Sequence, residues 1–359
     1  MKKIKVGIIF GGKSSEHEIS IMSARNVFSA LDPKKYEPLL IGISKNGKWY
    51  LQEDTDKFSS SATLMLQNLE NEVRLVTKND DTNLVSSINN FSSKIDVVFP
   101  VLHGTNGEDG TVQGLLKLAG VPFVGSGVLG SAIGMDKDVA KRLLRDAGIL
   151  IAKFIVFRKG EEIDYAKVVK QLGLPMFVKP ANNGSSIGIS KVKNKSQFSQ
   201  AIRDAFRFDR KILIEEAIKG REIECSVLGN GTPKASIPGE IITTHEFYDY
   251  EAKYFDKNGA RTEIPAKLSS NTIKLIQETA CRAFQVLNCE GMARVDFFVT
   301  KEGKVYVNEI NTIPGFTNIS MYPKLWEASG VSYSRLIDEL IDLAIKRFEE
   351  EKKLQTTYA

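Results

Sequence analysis

The residues whose types and spacing say most about chemistry lie between Met292 and Asn311. Two β-rich runs, 293–299 and 304–310, flank Lys301-Glu302-Gly303-Lys304. A two-residue turn at Glu302-Gly303 pairs Lys301 with Lys304. It then sets Asp296 opposite Glu309 and Arg294 opposite Asn311. Side chains alternate along a strand, so all four project from one face. Opposed carboxylates repel and weaken a sheet. A divalent cation removes that penalty, and Asp, Glu and Asn oxygens without Cys or His suit a hard ion, Mg²⁺ or Mn²⁺. Such an ion completes its shell with substrate phosphates. The plainer alternative is a solvated hairpin face with an Arg294–Asp296 ion pair. Phe298 and Val307, read as continuing the same face, argue for burial.

Phosphate would need cations and close backbone approach. An apolar run over 175–179 ends in Lys179, and Asn182-Asn183-Gly184-Ser185-Ser186-Ile187-Gly188 follows. Glycine and small hydroxyl residues let backbone come close to an anion. The alternation over 187–192 makes this a flap between strands; a plain hairpin turn is the alternative. Lys137 follows Asp136, which reads as the N-cap of a helix running to about Ala147 with Gly148 as its stop. The helix dipole disfavours a cation there, which hints at function, although a solvated surface lysine remains open. The strand over 212–216 ends in Glu215 and Glu216, with Glu222 beyond. These acids suit ribose hydroxyls or an adenine edge, or are merely solvated.

The elements that must position these groups are legible in outline. Runs 4–10, 38–43 and 95–99 read as buried strands, with helices over about 20–31 and 111–118. That order predicts a doubly wound α/β unit with ligands at the carboxyl ends of its strands. Residues from about 46 to 94 are polar with weak periodicity and read as a variable insertion. From 151 to about 229 the alternation suits α+β. No clean period runs through 240–264, the length of a lid or binding loop. A helix after Asn271, the hairpin and a helix from about Ser332 close the chain, and no internal repeat is seen. Gly7 to Ser14 matches the P-loop pattern GxxxxGK[ST], but Ile8, Ile9 and Phe10 belong to a strand core and cannot wrap phosphate.

Composition excludes several classes. The chain has 359 residues, 42% hydrophobic and 26% charged, which excludes a disordered or collagen-like protein. A net charge of +5, evenly spread, does not argue for nucleic acid. Cys225, Cys281 and Cys289 are too sparse for a disulfide framework or a zinc site and point to a reducing compartment. The apolar run after Lys2-Lys3 is too short for a signal peptide, and no stretch suits a membrane span. The expectation is a cytoplasmic protein without membrane or nucleic-acid partners.

Taken together, the motifs resemble ATP-grasp enzymes, and among them the D-alanine–D-alanine ligase family. The resemblance runs from Phe10 to about Ser332. It rests on Gly11-Gly12-Lys13-Ser14-Ser15-Glu16-His17-Glu18-Ile19-Ser20, Leu102-His103-Gly104 with Gly107-Glu108-Asp109-Gly110, and Gly125-Ser126-Gly127. Met135-Asp136-Lys137, Val178-Lys179-Pro180, Gly184-Ser185-Ser186-Ile187-Gly188 and residues 247–254 add to it, as do Asn308-Glu309-Ile310-Asn311-Thr312 and Pro314-Gly315. The implied fold is α/β and α+β, an ATP-grasp fold preceded by a doubly wound, Rossmann-like N-terminal domain. The expected units are 1–134 for substrate, 135–225 as the central ATP-grasp part, and 226–359 as the C-terminal part with a lid over 240–264.

The resemblance implies that ATP and two D-alanines give D-alanyl-D-alanine, ADP and phosphate through an acyl phosphate, for peptidoglycan precursors. Lys137 and Lys179 then match phosphate-binding lysines, with the Ser185-Ser186 flap beside them. Glu215, Glu216, Ala217, Ile218 and Glu222 match the adenine and ribose segment. Asp296, Glu309 and Asn311 match the ligands of two Mg²⁺ or Mn²⁺ ions. Glu16 is expected to hold the first D-alanine's ammonium and His103 to lie near its carboxyl group, unless His103 only orders its loop. Arg294 and the Gly315 N–H are expected to stabilise the tetrahedral oxyanion. Ser320 and Lys253 are expected to bind the second D-alanine. Glu16, Ser185 and Tyr254 match a hydrogen-bonded triad, and Tyr254 favours dipeptide over ester. A homodimer is implied. The rivals are another ATP-grasp carboxylate–amine ligase or a D-alanine–D-lactate ligase, a P-loop NTPase, and a non-catalytic nucleotide-binding protein.

Overall fold

The computed structural model describes residues 2–60, 66, 69–78, 81–86, 91–243 and 260–355. The chain opens with β1 (Ile4–Gly11), α1 (His17–Ala30), β2 (Tyr36–Ile43) and β3 (Trp49–Leu51). A short helix α2 (Thr55–Ser60) leads to β4 (Val73–Lys78), β5 (Asp81–Ser86), β6 (Ser92–Lys94) and then β7 (Val97–Val101). The first sheet has the order β3-β2-β1-β7, with β1 parallel to both β2 and β7. Its central strand reads as continuous apolar residues because helices cover both faces. Ile8, Ile9 and Phe10 are fully buried and paired on both sides, so their N–H groups belong to the sheet. That disposes of the P-loop match. The segment read as a variable insertion has structure of its own: β4, β5 and β6 form an antiparallel three-stranded sheet. Its apolar positions, such as Val73 and Leu84, are few and widely spaced, so their periodicity is faint in sequence although both are buried.

Next come α3 (Thr111–Leu118), α4 (Val128–Met135) and α5 (Lys137–Asp146). The Asp136 side chain caps α5 by accepting from the N–H groups of Asp138 and Val139. The strands β8 (Phe154–Arg158), β9 (Met176–Pro180), β10 (Ser190–Val192) and β11 (Lys211–Glu216) form an antiparallel sheet. Helices α6 (Tyr165–Leu172) and α7 (Lys195–Ala205) share a core with this sheet. The last sheet is built from β12 (Arg221–Gly229), β13 (Lys234–Ala235), β14 (Gly239–Thr243), β15 (Ala260–Glu263), β16 (Gly291–Val299) and β17 (Val305–Asn311), with α8 (Ser270–Val286) against it. Helix α9 (Met321–Ala328), which the sequence did not announce, precedes α10 (Tyr333–Glu351). Leu336, Ile337 and Leu340 of α10 share a core with Val6, Ile8 and Val97 of the first sheet, tying the chain's end to its beginning.

The hairpin β16–β17 departs from its expected form twice, and the departures cancel. The Thr300 N–H donates to Lys304 O and the Gly303 N–H to Thr300 O, both at 3.0 Å. The turn therefore holds Lys301, Glu302 and Gly303, not Glu302-Gly303 alone. Gly303 takes the left-handed position, φ +79°, that such a turn demands. The pairing is displaced by one, giving Val299 with Val305 and Phe297 with Val307. A bulge between Asp296 and Phe297 then absorbs Asn308 and restores Asp296 opposite Glu309 and Arg294 opposite Asn311. Val307 consequently lies on the other face from Glu309, buried with Phe297 and Phe284, and the expectation that it continues the site's face is corrected.

Candidate active site

Three adjacent strands make the floor. The register sets Glu224 opposite Asp296 and Asp296 opposite Glu309. In the next row Ser226, Arg294 and Asn311 lie side by side. Arg294 is 8% exposed and forks Asp296, Nε to Oδ1 and Nη2 to Oδ2, both at 2.7 Å. Its Nε also lies 3.0 Å from Oε2 of Glu224. Burial opposes the guanidinium charge, but Asp296 and then Glu224 outweigh it and hold the pKa well above its ordinary value. The ion pair of the plainer alternative therefore exists, but buried rather than solvated.

Oε2 of Glu309 is 3.6 Å from Nζ of Lys137. The Asn311 side-chain oxygen is buried and has no hydrogen-bond partner among the described residues. A dry, unpaired acceptor is costly, and a cation would relieve it. Among the described residues no three His, Cys, Asp or Glu side chains converge enough to hold an ion by themselves. Two carboxylates and an amide oxygen nonetheless fit a hard ion that takes the rest of its shell from phosphates and water.

Lysines form the opposite wall. Lys179 Nζ donates to Glu215 Oε2 at 2.6 Å and to Asn308 Oδ1 at 3.4 Å. The bulge is what turns Asn308 toward this wall, a residue whose part the regular hairpin of the sequence reading could not show. Glu215 is 2% exposed, lines the larger chamber and pairs its carboxylate with lysines. Lys141, also missed, lies beneath at 1% exposure with Nζ 3.3 Å from Glu215 Oε1. Its spacing four residues after Lys137 was the available signal. Lys137 Nζ donates to the carbonyl of Asn183 at 2.6 Å and so ties α5 to the flap. Ser185 and Ser186 are left-handed there, φ +50° and +59°. Glu216, which lines the larger chamber, accepts from the Lys153 N–H at 2.8 Å.

The third wall comes from the carboxyl ends of β1 and β7, which are neighbours in the first sheet. Their loops carry Glu16 and His103. Ser185 Oγ donates to Oε1 of Glu16, joining flap and first sheet. The His103 ring is held between Ile313 O (Nδ1, 3.0 Å) and Ser23 Oγ (Nε2, 3.1 Å). Oε1 of Glu108 is 3.6 Å from Nδ1. Burial disfavours the imidazolium, but Glu108 and Glu16 overrule it and raise the pKa. Burial likewise pushes the Glu108 carboxyl upward. Gly104 permits the approach: at φ +77°, a Cβ there would stand 2.8 Å from Ser14 Oγ and 3.1 Å from Glu16 Oε2. Ser320 Oγ accepts from the Thr317 N–H at 3.0 Å, beside Gly315.

These walls border two neighbouring chambers that share part of their lining. The larger is lined by Lys137, Lys179, Ser186, Ala217, Ile218, Glu222 and Asp296 among others. The smaller is lined by Glu16, His103, Gly315, Ser320 and Asn311 among others. Ser185, Arg294 and Glu309 border both. Lys253 and Tyr254, with most of the expected lid, lie outside the described residues. A larger lysine-walled chamber beside a smaller polar one suits a nucleotide next to a small charged substrate.

The family model described as D-ala D-ala ligase N-terminus matches residues 5–126, and that described as D-ala D-ala ligase C-terminus matches 143–342. The chain belongs to the D-alanine–D-alanine ligase family. It is similar to the D-alanine–D-alanine ligase of Oceanobacillus iheyensis, 53% identical over 363 residues and 99% of each chain. The D-alanine–D-alanine ligase A of Salmonella typhimurium is 49% identical, covering 99% of this chain and 100% of the relative. Among solved structures, the ligase from Coxiella burnetii has a TM-score of 0.89 at 41% identity, over 98% and 97% of the two chains. VanG D-Ala:D-Ser ligase from Enterococcus faecalis has 0.85 at 38%, over 96% and 100%. As a D-alanine–D-alanine ligase on an ATP-grasp fold, the chain joins two D-alanines with ATP, and its family uses a divalent metal. No described helix is long and apolar enough to cross a membrane.

Proposed function

We propose that the larger chamber binds ATP between units 135–225 and 226–359, and that the smaller one binds both D-alanines beside unit 1–134. The sharing of Ser185, Arg294 and Glu309 between the linings of the two chambers is the observation that carries this reading. Lys137 and Lys179 hold phosphates, the Ser185-Ser186 flap covers them, Glu216, Ala217 and Ile218 border adenine, and Glu222 takes ribose. Glu215 anchors Lys179 from below. Asp296, Glu309 and Asn311 hold two Mg²⁺ or Mn²⁺ ions, which when bound supply neutralising charge to the nucleotide phosphates.

Glu16 receives the first ammonium and His103, its charge favoured by Glu108, faces the first carboxylate. That carboxylate attacks the γ-phosphorus of ATP; the acyl phosphate forms and ADP leaves. The second D-alanine's ammonium gives up a proton to solvent, its amine attacks the acyl carbon, and after a tetrahedral stage the phosphate leaves and the nitrogen's second proton departs with it. Arg294 and the Gly315 N–H stand ready for the oxyanion; catalysis here is positioning plus charge stabilisation. Ser320 and Lys253 take the second carboxylate, and Tyr254 completes a triad with Glu16 and Ser185. The enzyme works as a cytoplasmic homodimer on small molecules alone.

The test is incubation with D-alanine, ATP and Mg²⁺, with mass detection of D-alanyl-D-alanine, beside parallel reactions offering D-serine or D-lactate as acceptor. Dipeptide should dominate. ADP release without dipeptide, or faster turnover with another acceptor, would sink the assignment.

A further inference from the structure

Arg294 and a metal ion make competing claims on Asp296. The guanidinium occupies both carboxylate oxygens at 2.7 Å. The proposed function asks the same oxygens to take a cation. Two positive groups on one carboxylate repel each other, so Arg294 needs a second anion if it is to stay in place. Glu224 is that anion. Its carboxylate is 14% exposed, its Oε2 is 3.0 Å from Arg294 Nε, and its residue lies directly opposite Asp296 on the neighbouring strand. Arg294 therefore sits within reach of two carboxylates at once, and a small rotation exchanges one for the other.

We propose that Glu224 is a positioning residue that holds Arg294 when Asp296 passes to the metal, keeping the guanidinium at the reacting centre while freeing the ligand. This rests on the reading of Asp296 as a metal ligand. Without Glu224, Arg294 depends on Asp296 alone and competes with the ion. The effect of Glu224 on metal binding thus runs through Arg294.

Mn²⁺ is the probe, because its free ion gives an electron paramagnetic resonance signal that falls on binding. The full-length protein is titrated with Mn²⁺ at saturating non-hydrolysable ATP analogue. Glu224→Gln should weaken Mn²⁺ binding about 10–100-fold, the usual effect of losing a group that orients a metal site. In an Arg294→Met background the same change should have almost no effect. Equal weakening in both backgrounds would mean that Glu224 acts on the ion directly and would overturn the proposal, as would unchanged binding in Glu224→Gln. Asp296→Asn separates the two levels. If it leaves Mn²⁺ binding intact, the metal assignment itself falls; if it abolishes binding while Glu224→Gln does nothing, only the role of Glu224 falls. Thermal melting verifies that each variant is folded, and Glu224→Ser carries the same comparison should the glutamine variant not fold.

Discussion

At the scale of single residues, the site is governed by how buried charges are paired. Glu215 has almost no solvent, and burial alone would raise its carboxyl pKa. Lys141 and Lys179 overrule burial and lower it below the ordinary 4.5. Lys141 itself is lowered, chiefly by burial. A depressed carboxyl pKa means that the folded state prefers the ionised form. Its contribution to stability is present above the ordinary value and is lost as pH falls through the lowered one. Glu215→Gln should therefore flatten the acid-side decline of unfolding free energy, measured by urea titration across that window. An unchanged slope would mean that Glu215 is not held ionised by the lysines. His103 illustrates a different outcome. Its two ring nitrogens are satisfied by Ile313 and Ser23, so it orders the 313–316 segment as well as lining the smaller chamber.

At the scale of elements, the hairpin decides whether the site exists. A pleated strand turns every side chain over when its register slips by one. The three-residue turn introduces such a slip, and the bulge at Asn308 reverses it before Glu309 is reached. The bulge also supplies the Asn308 oxygen to Lys179, a contact that a regular ladder would direct to the other face. The turn can be probed by itself. Nothing lies within 4 Å of a Cβ built at Gly303, so only its positive φ resists substitution. Gly303→Ala should cost about 1–2 kcal/mol, and Gly303→Asn less, because asparagine tolerates the left-handed region. Denaturant unfolding measures both, and the KM for ATP should stay unchanged in each. Equal stability of the alanine variant would count against the turn conformation.

At the scale of the whole molecule, the cleft is a product of contacts between distant stretches of chain. Arg347 of α10 donates to Gly125 O at 2.6 Å and Phe123 O at 2.8 Å, and stacks over the Phe123 ring at 4.7 Å. It also lies 3.3 Å from Oε2 of Glu290, just before β16. One buried guanidinium thus clasps the first sheet's margin, the last helix and the base of the catalytic hairpin. Lysine retains the charge but not the planar fork. Arg347→Lys should lose about 2–3 kcal/mol on urea unfolding, the scale of hydrogen bonds to a charged donor. Wild-type stability in that variant would show that charge alone suffices.

The residue types and spacings in the chain were sufficient for the fold class, the parallel strands of the opening unit and the cap at Asp136, whereas the opposition of Asp296 to Glu309 holds only because the bulge cancels the slip of the longer turn. The first three depend on short-range rules of period, capping and strand alternation, which act through neighbours in sequence. The actual turn, the compensating bulge, the small sheet between β3 and β7 and helix α9 were decided elsewhere. Their local signals are weak, and packing against remote segments chose among near-equal options. Lys141 and Glu224 escaped for the same reason. A lysine on a helix or a glutamate on a strand has no meaning until another strand brings a partner within about 3 Å, a typical hydrogen-bonding distance, and shuts out water.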